Sequence, residues 1–235
     1  MDTKSLWIGI EGIVLDAVGT LIEPEPSVAE VYLTAARRQG IVLRAEDVHA
    51  RFGRHFRDDE ADESLGPMVT SEPLERRRWR RIVGQVLLEV ADPDRAFDEL
   101  WDHFGSAGAW RCFADAGPVV ATLRSAGFRL AVGSNFDGRL RRVLAGLPEL
   151  AALCPSLVIS SEVGYRKPHP RFYQAVCETL GLAADRLLFV GDDPENDVAG
   201  PTRAGLRGVL LDRRGVSQRP PVIADLRALL VSRDH

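Results

Sequence analysis

Short, continuous apolar runs alternate with amphipathic stretches along most of this chain. Runs at 12–15, 129–133 and 187–190 have the length and uniform apolarity of strands buried on both faces of a parallel sheet. The stretches at 119–126 and 170–180 carry apolar residues at helical spacing. Further strands are expected at 156–160 and 208–211 and a further helix at 196–204, and an apolar segment at 223–231 closes the chain. This alternation predicts an α/β fold, a doubly wound parallel sheet with right-handed crossovers.

One long stretch, from about residue 25 to residue 106, departs from this alternation. Ser27 and Glu30 form the capping-box pattern that starts a helix, and apolar residues follow at helical spacing. Three further helical patterns follow, and no strand-like run separates them. We therefore expect an all-helical cap inserted after the first strand. The expected division is residues 1–24 and 107–235 for the core and residues 25–106 for the cap.

The composition is that of an ordinary folded protein, and it narrows the classes of partner. With 235 residues, 45% of them hydrophobic, the chain can form one well-buried domain and a smaller one. A net charge of −4 argues mildly against a nucleic-acid partner, and no apolar run has membrane-spanning length. The sequence gives no reason to infer an obligate protein partner.

The amino-terminal apolar stretch and the cysteines both favour a cytoplasmic protein. Glu11 interrupts that stretch, which then leads into Asp16, as expected of a first strand rather than of a secretory signal. Cys112, Cys154 and Cys177 are odd in number and lack the spacing of a metal site. We expect reduced, structural thiols and a cytoplasmic location.

Polar clusters lie after the apolar runs or in the loops between them, at the edge where open parallel sheets bind ligands. They are Asp16 to Thr20, Ser134 with Asn135, Lys167, and Asp192 with Asp193. Lysine is otherwise almost absent, because the only lysine besides Lys167 is Lys4. Since ammonium and guanidinium groups differ in shape and hydration, this placement favours a specific need for an ammonium at position 167.

Each of the first two clusters has both a functional and a purely structural interpretation. Asp16 could attack phosphorus as a carboxylate nucleophile, or it could simply shape a turn before Gly19. Thr20 could hold a transferring group by its hydroxyl, or it could pack the same turn. Ser134 and Asn135 could bind phosphate oxygens, or they could start the next helix.

Lys167 and the acidic pair also have two interpretations each. Lys167, held in an extended backbone by Pro168, could neutralise charge between a nucleophile and a phosphate, or it could be a solvated loop lysine. Asp192 and Asp193 suit octahedral Mg²⁺, but they could also cap a helix that has Asp197 in its first turn. The ordered set of clusters is more specific than any one of them.

In order and context, the clusters resemble the four motifs of the haloacid dehalogenase (HAD) superfamily, over nearly the whole chain. The resemblance implies a Rossmann-like core, with the helical insert as the family's type-one cap. It also implies hydrolysis of a small phosphorylated substrate through an aspartyl-phosphate on Asp16, with Lys167 as the second catalytic residue. The implied substrate-binding residues are Thr20, Ser134 and Asn135. The implied cofactor is Mg²⁺, held by Asp16, Asp192, Asp193 and the backbone carbonyl of Val18.

One position departs from the family pattern. The first motif of the family is Asp-x-Asp-x-Thr, and Val18 stands at the second aspartate. In the family that aspartate protonates the leaving group and then activates water, and general acid–base catalysis is worth about 10²- to 10⁴-fold. A metal contact through the backbone carbonyl does not depend on the side chain. We therefore expect the site to bind metal and to hydrolyse its substrate slowly.

Two other functions stay open. Val18 favours a non-catalytic HAD-fold protein that binds a ligand or has a regulatory role. The weakest alternative is a dehalogenase, because dehalogenases of this superfamily have a tyrosine in the first motif and a serine-rich fourth motif. This chain lacks that tyrosine and keeps Gly191, Asp192 and Asp193.

Two further groups of side chains bear on substrate binding. The arginine-rich segment at 76–81 could attract an anion, although a solvated helix face is the favoured interpretation. Tryptophans could line a substrate pocket, although core packing is favoured for most of them. They are Trp7, Trp79, Trp101 and Trp110.

Overall fold

The centre of the protein is a parallel sheet. A computed structural model describes residues 7–60, 68–217 and 221–230, and within those residues the sheet has six strands. Counting two strands outside this sheet, the strands of the described residues are, in chain order, β1 (Gly12–Leu15), β2 (Ile22–Pro24), β3 (Trp110–Cys112), β4 (Arg129–Ser134), β5 (Leu157–Ile159), β6 (Leu187–Gly191), β7 (Arg207–Leu211) and β8 (Val222–Ile223). The sheet order is β5-β4-β1-β6-β7-β8, and β2 and β3 form a separate antiparallel ribbon.

The register of the central strands brings their carboxyl ends together. Leu15, the last residue of β1, lies opposite Val132 of β4 and Val190 of β6, and all three strands run in parallel. The residues that follow these positions therefore meet at one edge of the sheet. Asp16 follows β1 and Asp192 follows β6, so the first and fourth polar clusters lie at this edge.

Helices cover both faces of the sheet and form the insert. In chain order they are α1 (Val28–Arg38), α2 (Ala45–Glu60), α3 (Glu72–Val86), α4 (Pro93–Phe104), α5 (Ala116–Ser125), α6 (Arg139–Ala145), α7 (Ser160–Val163), α8 (Pro170–Leu180) and α9 (Gly200–Arg203). The helices α1 to α4, which we call the helical insert, share an apolar cluster of their own. Within the described residues, no helix combines the length and the apolarity needed to cross a membrane.

Alternation along β1 shows that the sheet is wound on both faces. Ile13 and Leu15 pack in one apolar cluster with Val119 of α5, whereas Val14 packs in another with Phe172 of α8. All three β1 side chains are fully buried. Because successive strand residues point to opposite faces, a strand with both faces covered must be apolar throughout, as this one is. The predicted α/β fold with a doubly wound parallel sheet and a helical insert is confirmed.

Several boundaries differ from the sequence prediction. The helix predicted at 196–204 is instead a π-helical turn, Pro194–Ala199, followed by α9. The last apolar segment, to which the sequence assigned no helix or strand, contains the end of β8 and a short 3₁₀ turn, Leu226–Leu230. The ribbon of β2 and β3 was not predicted, because two strands of three residues give too little periodicity to detect. The division into core and cap at residues 24/25 and 106/107 stays a prediction, as does the cytoplasmic location.

Candidate active site

Lys167 lies at the centre of the candidate site, at the carboxyl edge of the sheet. Its Nζ donates hydrogen bonds to Oδ1 of Asp16 and Oδ1 of Asp197, both at 2.7 Å, and to the carbonyl oxygen of Gly133 at 3.1 Å. These partners belong to β4 and to the segments that follow β1 and β6, so one ammonium joins three neighbouring strand ends. The lysine side chain is only 3% exposed. The interpretation of Lys167 as a solvated loop residue is therefore wrong.

Asn135 holds the backbone of Lys167 in place. The Lys167 N–H donates to Oδ1 of Asn135 at 2.7 Å, and Nδ2 of Asn135 donates to the Lys167 carbonyl at 3.1 Å. The second and third polar clusters are thus joined directly, although 32 positions separate the two residues. Both ends of the Asn135 amide are thus bonded to the backbone of Lys167, and these bonds fix the position of that lysine.

Three carboxylates come together beside this lysine. Asp16, Asp192 and Asp197 each offer a carboxylate oxygen, and these oxygens lie within 4.8 Å of one another. Two glycines make this approach possible: a Cβ on Gly19 would clash with Asp192, and a Cβ on Gly191 would clash with Asp197. Any side chain at either position would therefore push a carboxylate away from the cluster.

The cluster perturbs the pKa of its members. Burial raises the pKa of Asp197 to about 7, against the influence of Lys167, and the charge of Asp16 adds to the rise. Partial loss of hydration and the charge of Asp197 raise the pKa of Asp192 to about 6, although the residue keeps an exposed edge. Burial lowers the pKa of Lys167, but Asp16 and Asp197 raise it more, so the lysine stays protonated. The raised pKa values of Asp192 and Asp197 show that burial and mutual repulsion oppose ionisation of the carboxylates.

Asp193 and Asp197 occupy different positions around the turn after β6: Asp193 caps the turn, and Asp197 joins the carboxylate cluster. The carboxylate of Asp193 caps the turn after β6, since its Oδ1 accepts from the N–H groups of Glu195 and Asn196, both at 2.8 Å. Asp197, which stands just beyond the acidic pair in the sequence, is brought back to the strand edge by the π-helical turn. Its Oδ2 accepts from the N–H of Asp193 at 3.0 Å. An aspartate one turn beyond an acidic pair is the signal that could have identified it.

Thr20 and Ser134 are both buried at the same edge of the sheet. Among the described residues, the hydroxyl of Thr20 is one of the few buried polar atoms without a hydrogen-bond partner. The Thr20 carbonyl accepts from Nη2 of Arg213 at 2.9 Å, and the same guanidinium forms a two-pronged ion pair with Asp115, with both N–O distances 2.9 Å. The turn that follows the first strand is thereby fixed from outside the site.

Val18, where the family has its second aspartate, lies at the end of a cavity between the sheet edge and the helical insert. The cavity has a volume of about 240 Å³, and Val18 and Asn135 are among the residues that line it. The rest of its wall is mostly aromatic and comes mainly from the insert, β3 and the loop after β4, with Pro24, Arg139 and Arg166 in addition. The structure therefore places an apolar surface beside the carboxylates, where the family pattern has an acid.

Comparisons with known proteins identify the family of this chain. A family model for haloacid dehalogenase-like hydrolases matches residues 10–205. Phosphatase MT3486 of Mycobacterium tuberculosis is 30% identical over 227 residues, which cover 94% of this chain and 96% of that protein. A phosphoserine phosphatase of Thermus thermophilus is 29% identical over 236 residues, which cover 92% of this chain and 94% of that protein.

Solved structures share the architecture. YfnB of Bacillus subtilis, described as a HAD-hydrolase bound to magnesium, matches with a TM-score of 0.73 at 16% identity over 94% of this chain and 96% of that one. The L-2-haloacid dehalogenase RSc1362 matches with a TM-score of 0.71 at 20% identity over 94% of this chain and 97% of that one. At these identities the likeness shows the fold alone.

Proposed function

The chain belongs to the haloacid dehalogenase-like hydrolases, and from this premise we propose that it is a Mg²⁺-dependent phosphohydrolase acting on a small phosphorylated molecule through Asp16. The observation that carries the proposal is the ion pair between Lys167 and Asp16 beside a cluster of three carboxylates. The phosphatases among its relatives support the same class of reaction.

The proposed reaction has two displacements at phosphorus. In the first, a carboxylate oxygen of Asp16 attacks phosphorus, the bond between phosphorus and the leaving oxygen breaks, and its electron pair goes to that oxygen. In the second, water attacks phosphorus and the bond to Asp16 breaks, which restores the carboxylate. One proton of the attacking water is released to solvent and the departed oxygen takes one up from solvent, so the products are an alcohol and inorganic phosphate. Lys167 holds Asp16 in place, and its charge offsets the negative charge of the phosphoryl group.

The acidic cluster suits Mg²⁺, a hard cation that prefers oxygen ligands. With Lys167, the three ionised carboxylates of Asp16, Asp192 and Asp197 carry a formal charge of −2, which a divalent cation balances. Asp16 and Asp192 would hold the ion together with the backbone carbonyl of Val18. When bound, Mg²⁺ would offset negative charge on the phosphoryl group under attack.

The remaining predicted ligands have different proposed roles. Asp193 would act by capping the turn that presents Asp197, rather than from the centre of the cluster. Ser134 and the unpartnered hydroxyl of Thr20 are the proposed partners of phosphoryl oxygens. Asn135 would contribute by fixing Lys167.

Val18 supports slow turnover, because valine cannot give a proton to the leaving group or take one from water. It also supports the second candidate, a protein that binds a phosphorylated ligand without converting it. The two functions differ in one observable, which is release of phosphate.

The test is a screen of phosphorylated metabolites with Mg²⁺, measuring phosphate release by the wild type and by Asp16→Asn. The amide keeps the shape of the carboxylate but is a poor nucleophile. Release by the wild type alone supports the proposed enzyme. Binding without release supports the second candidate, and equal release by both proteins contradicts the role of Asp16.

A further inference from the structure

The cavity beside Val18 is built for an apolar group. Among the described residues, nine aromatic side chains line it, and three of them are tryptophans for which the sequence left open either a substrate pocket or core packing, namely Trp79, Trp101 and Trp110. The aliphatic side chains of Val28, Val83 and Leu100 complete the wall together with Val18 and Pro24. Cavities with such walls stay poorly hydrated and favour apolar ligands.

Three charged residues are among those that line the cavity, namely Arg78, Arg139 and Arg166, and each pairs with a carboxylate of the protein. Nε of Arg166 lies 3.9 Å from Oε1 of Glu75. The guanidinium of Arg139 pairs with Asp137 at 2.7 Å and lies over the ring of Trp101, with 3.3 Å from Cζ to the ring centroid. The guanidinium of Arg78 pairs with Glu75 at 3.4 Å and lies 5.0 Å from the ring centroid of Phe56. Their stacked faces extend the aromatic wall.

Few polar groups face a ligand here. Among the described residues, the polar groups of the wall are the arginines, the hydroxyl of Tyr32, the indole N–H groups and Asn135. The indole N–H of Trp110 donates to the carbonyl of Phe104, and the amide of Asn135 is bonded to the backbone of Lys167 on both of its ends. A sugar or an amino-acid moiety would lose water from several polar groups and would regain few hydrogen bonds. The wall therefore disfavours the polar leaving groups of sugar phosphates and of phosphoserine.

The volume limits the size of the occupant. A cavity of about 150 Å³ lined by apolar side chains binds benzene. At about 240 Å³, this cavity has room for roughly two fused rings.

We propose that the substrate is a phosphate ester of a bulky, uncharged aromatic alcohol about two rings in size, whose rings occupy this cavity while the phosphoryl group lies at Asp16. The proposal rests on the proposed function for the phosphoryl half of the site. Continuity supports it, because Val18 belongs both to the loop that carries Asp16 and to the cavity wall.

The chemistry of position 18 agrees with such a substrate. When the bond between phosphorus and the ester oxygen breaks, an aromatic oxygen keeps the electron pair as a phenolate, since phenols have a pKa near 10. The phenolate later takes a proton from water. A leaving group of this kind needs no acid at position 18, and apolar contact with the valine side chain would stabilise its bound rings.

The test compares 1-naphthyl phosphate with phenyl phosphate, whose leaving groups are phenols of similar acidity. Because the two leaving groups differ little in pKa, a difference in kcat/KM of about 10-fold or more reports mainly the second ring. We expect kcat/KM to be higher for 1-naphthyl phosphate by about 10-fold or more, as for added apolar groups in a fitting pocket.

Matched variants locate the effect. Val28→Phe extends a half-buried side chain into the cavity, and Val42→Phe makes the same change at an exposed position of the insert. We expect Val28→Phe to remove most of the naphthyl preference and Val42→Phe to keep it. Val28→Leu, a smaller intrusion, serves if the phenylalanine prevents folding.

Measurements of ester binding test this inference separately from the proposed function. Affinities of both esters, followed by tryptophan fluorescence or calorimetry, are measured whether or not phosphate is released. Tighter binding of the naphthyl ester, weakened by Val28→Phe alone, supports the inference even if no turnover is found. Equal binding and equal kcat/KM for the two esters, or equal behaviour of Val28→Phe and Val42→Phe, would overturn it while leaving phosphohydrolase activity intact.

Discussion

Lys167 and Asp197 form an ion pair of 2.7 Å that joins the loop before α8 to the turn after β6. Both side chains are buried, and Lys167 makes a second pair of the same length with Asp16. One ammonium thus offsets part of the charge of two buried carboxylates. Removal of one partner of a buried ion pair leaves an uncompensated charge, which typically costs about 3–5 kcal/mol.

We therefore predict that Lys167→Met lowers the free energy of unfolding by about 3 kcal/mol and abolishes activity. Urea unfolding without Mg²⁺ measures the first effect. Because raised carboxylate pKa values allow the aspartates to take up protons, the loss of stability should be smaller at pH 5 than at pH 8. An unchanged unfolding curve at both pH values would contradict the central role of this lysine.

The acidic cluster predicts a specific response to Mg²⁺. An ion that binds only the native state raises the melting temperature, and Asp192→Asn should remove most of that rise because it takes one carboxylate from the cluster. Differential scanning fluorimetry over a Mg²⁺ series measures the shift. Asp98→Asn, in an exposed ion pair of the insert, is the control and should respond as the wild type does. Equal shifts in wild type and Asp192→Asn would rule out the assignment.

The sheet and the strand-end clusters were predictable because both depend on local pattern. Apolar runs define the strands, and parallel strands bring their carboxyl ends to one edge whatever the rest of the chain does. Asp16 and Asp192 could therefore be placed close together from the sequence.

The other features of the site could not be predicted from the sequence, because they depend on tertiary packing and on local backbone geometry. The role of Asn135 depends on a partner 32 positions away. Asp197 reaches the cluster only through a π-helical turn, whose hydrogen-bond register no periodicity announces. Tryptophans of the insert look like core residues in sequence, and only the folded arrangement shows that Trp79 and Trp101 line one cavity together with Val18.

The buried carboxylate of Asp115, outside the candidate site, leads us to predict that part of the free energy of unfolding is lost in acid. Burial raises its pKa, but the paired guanidinium of Arg213 and the N–H of Leu226 lower it more, so its pKa lies below the usual value. A carboxylate with a lowered pKa stabilises the fold above its unfolded pKa of about 3.9, and this stabilisation is lost as the pH falls through the folded pKa.

Asp115→Asn should therefore lower the free energy of unfolding by about 2 kcal/mol at pH 7, and the difference from wild type should shrink below about pH 4. Urea unfolding at a series of pH values measures both effects. Asp98→Asn, which removes an exposed pair, should change stability little at any pH. A difference for Asp115→Asn that stays constant down to pH 2 would show that the charge of Asp115 is not its source.

The last prediction concerns the absent acid at position 18. Without a proton donor, the rate should depend steeply on how readily the leaving group departs as an anion, so aryl and acyl phosphates should be cleaved before alkyl phosphates. Val18→Asp should raise turnover of alkyl phosphates, by up to about 10²-fold, the lower end of general acid–base catalysis. The same change puts a carboxylate into an apolar wall, so binding of aromatic esters should weaken. The measurement is kcat/KM for wild type and Val18→Asp across esters of graded leaving-group pKa, with Val18→Asn as the matched control that cannot transfer the proton. If the wild type already cleaves alkyl phosphates efficiently and the aspartate adds nothing, another residue supplies the proton.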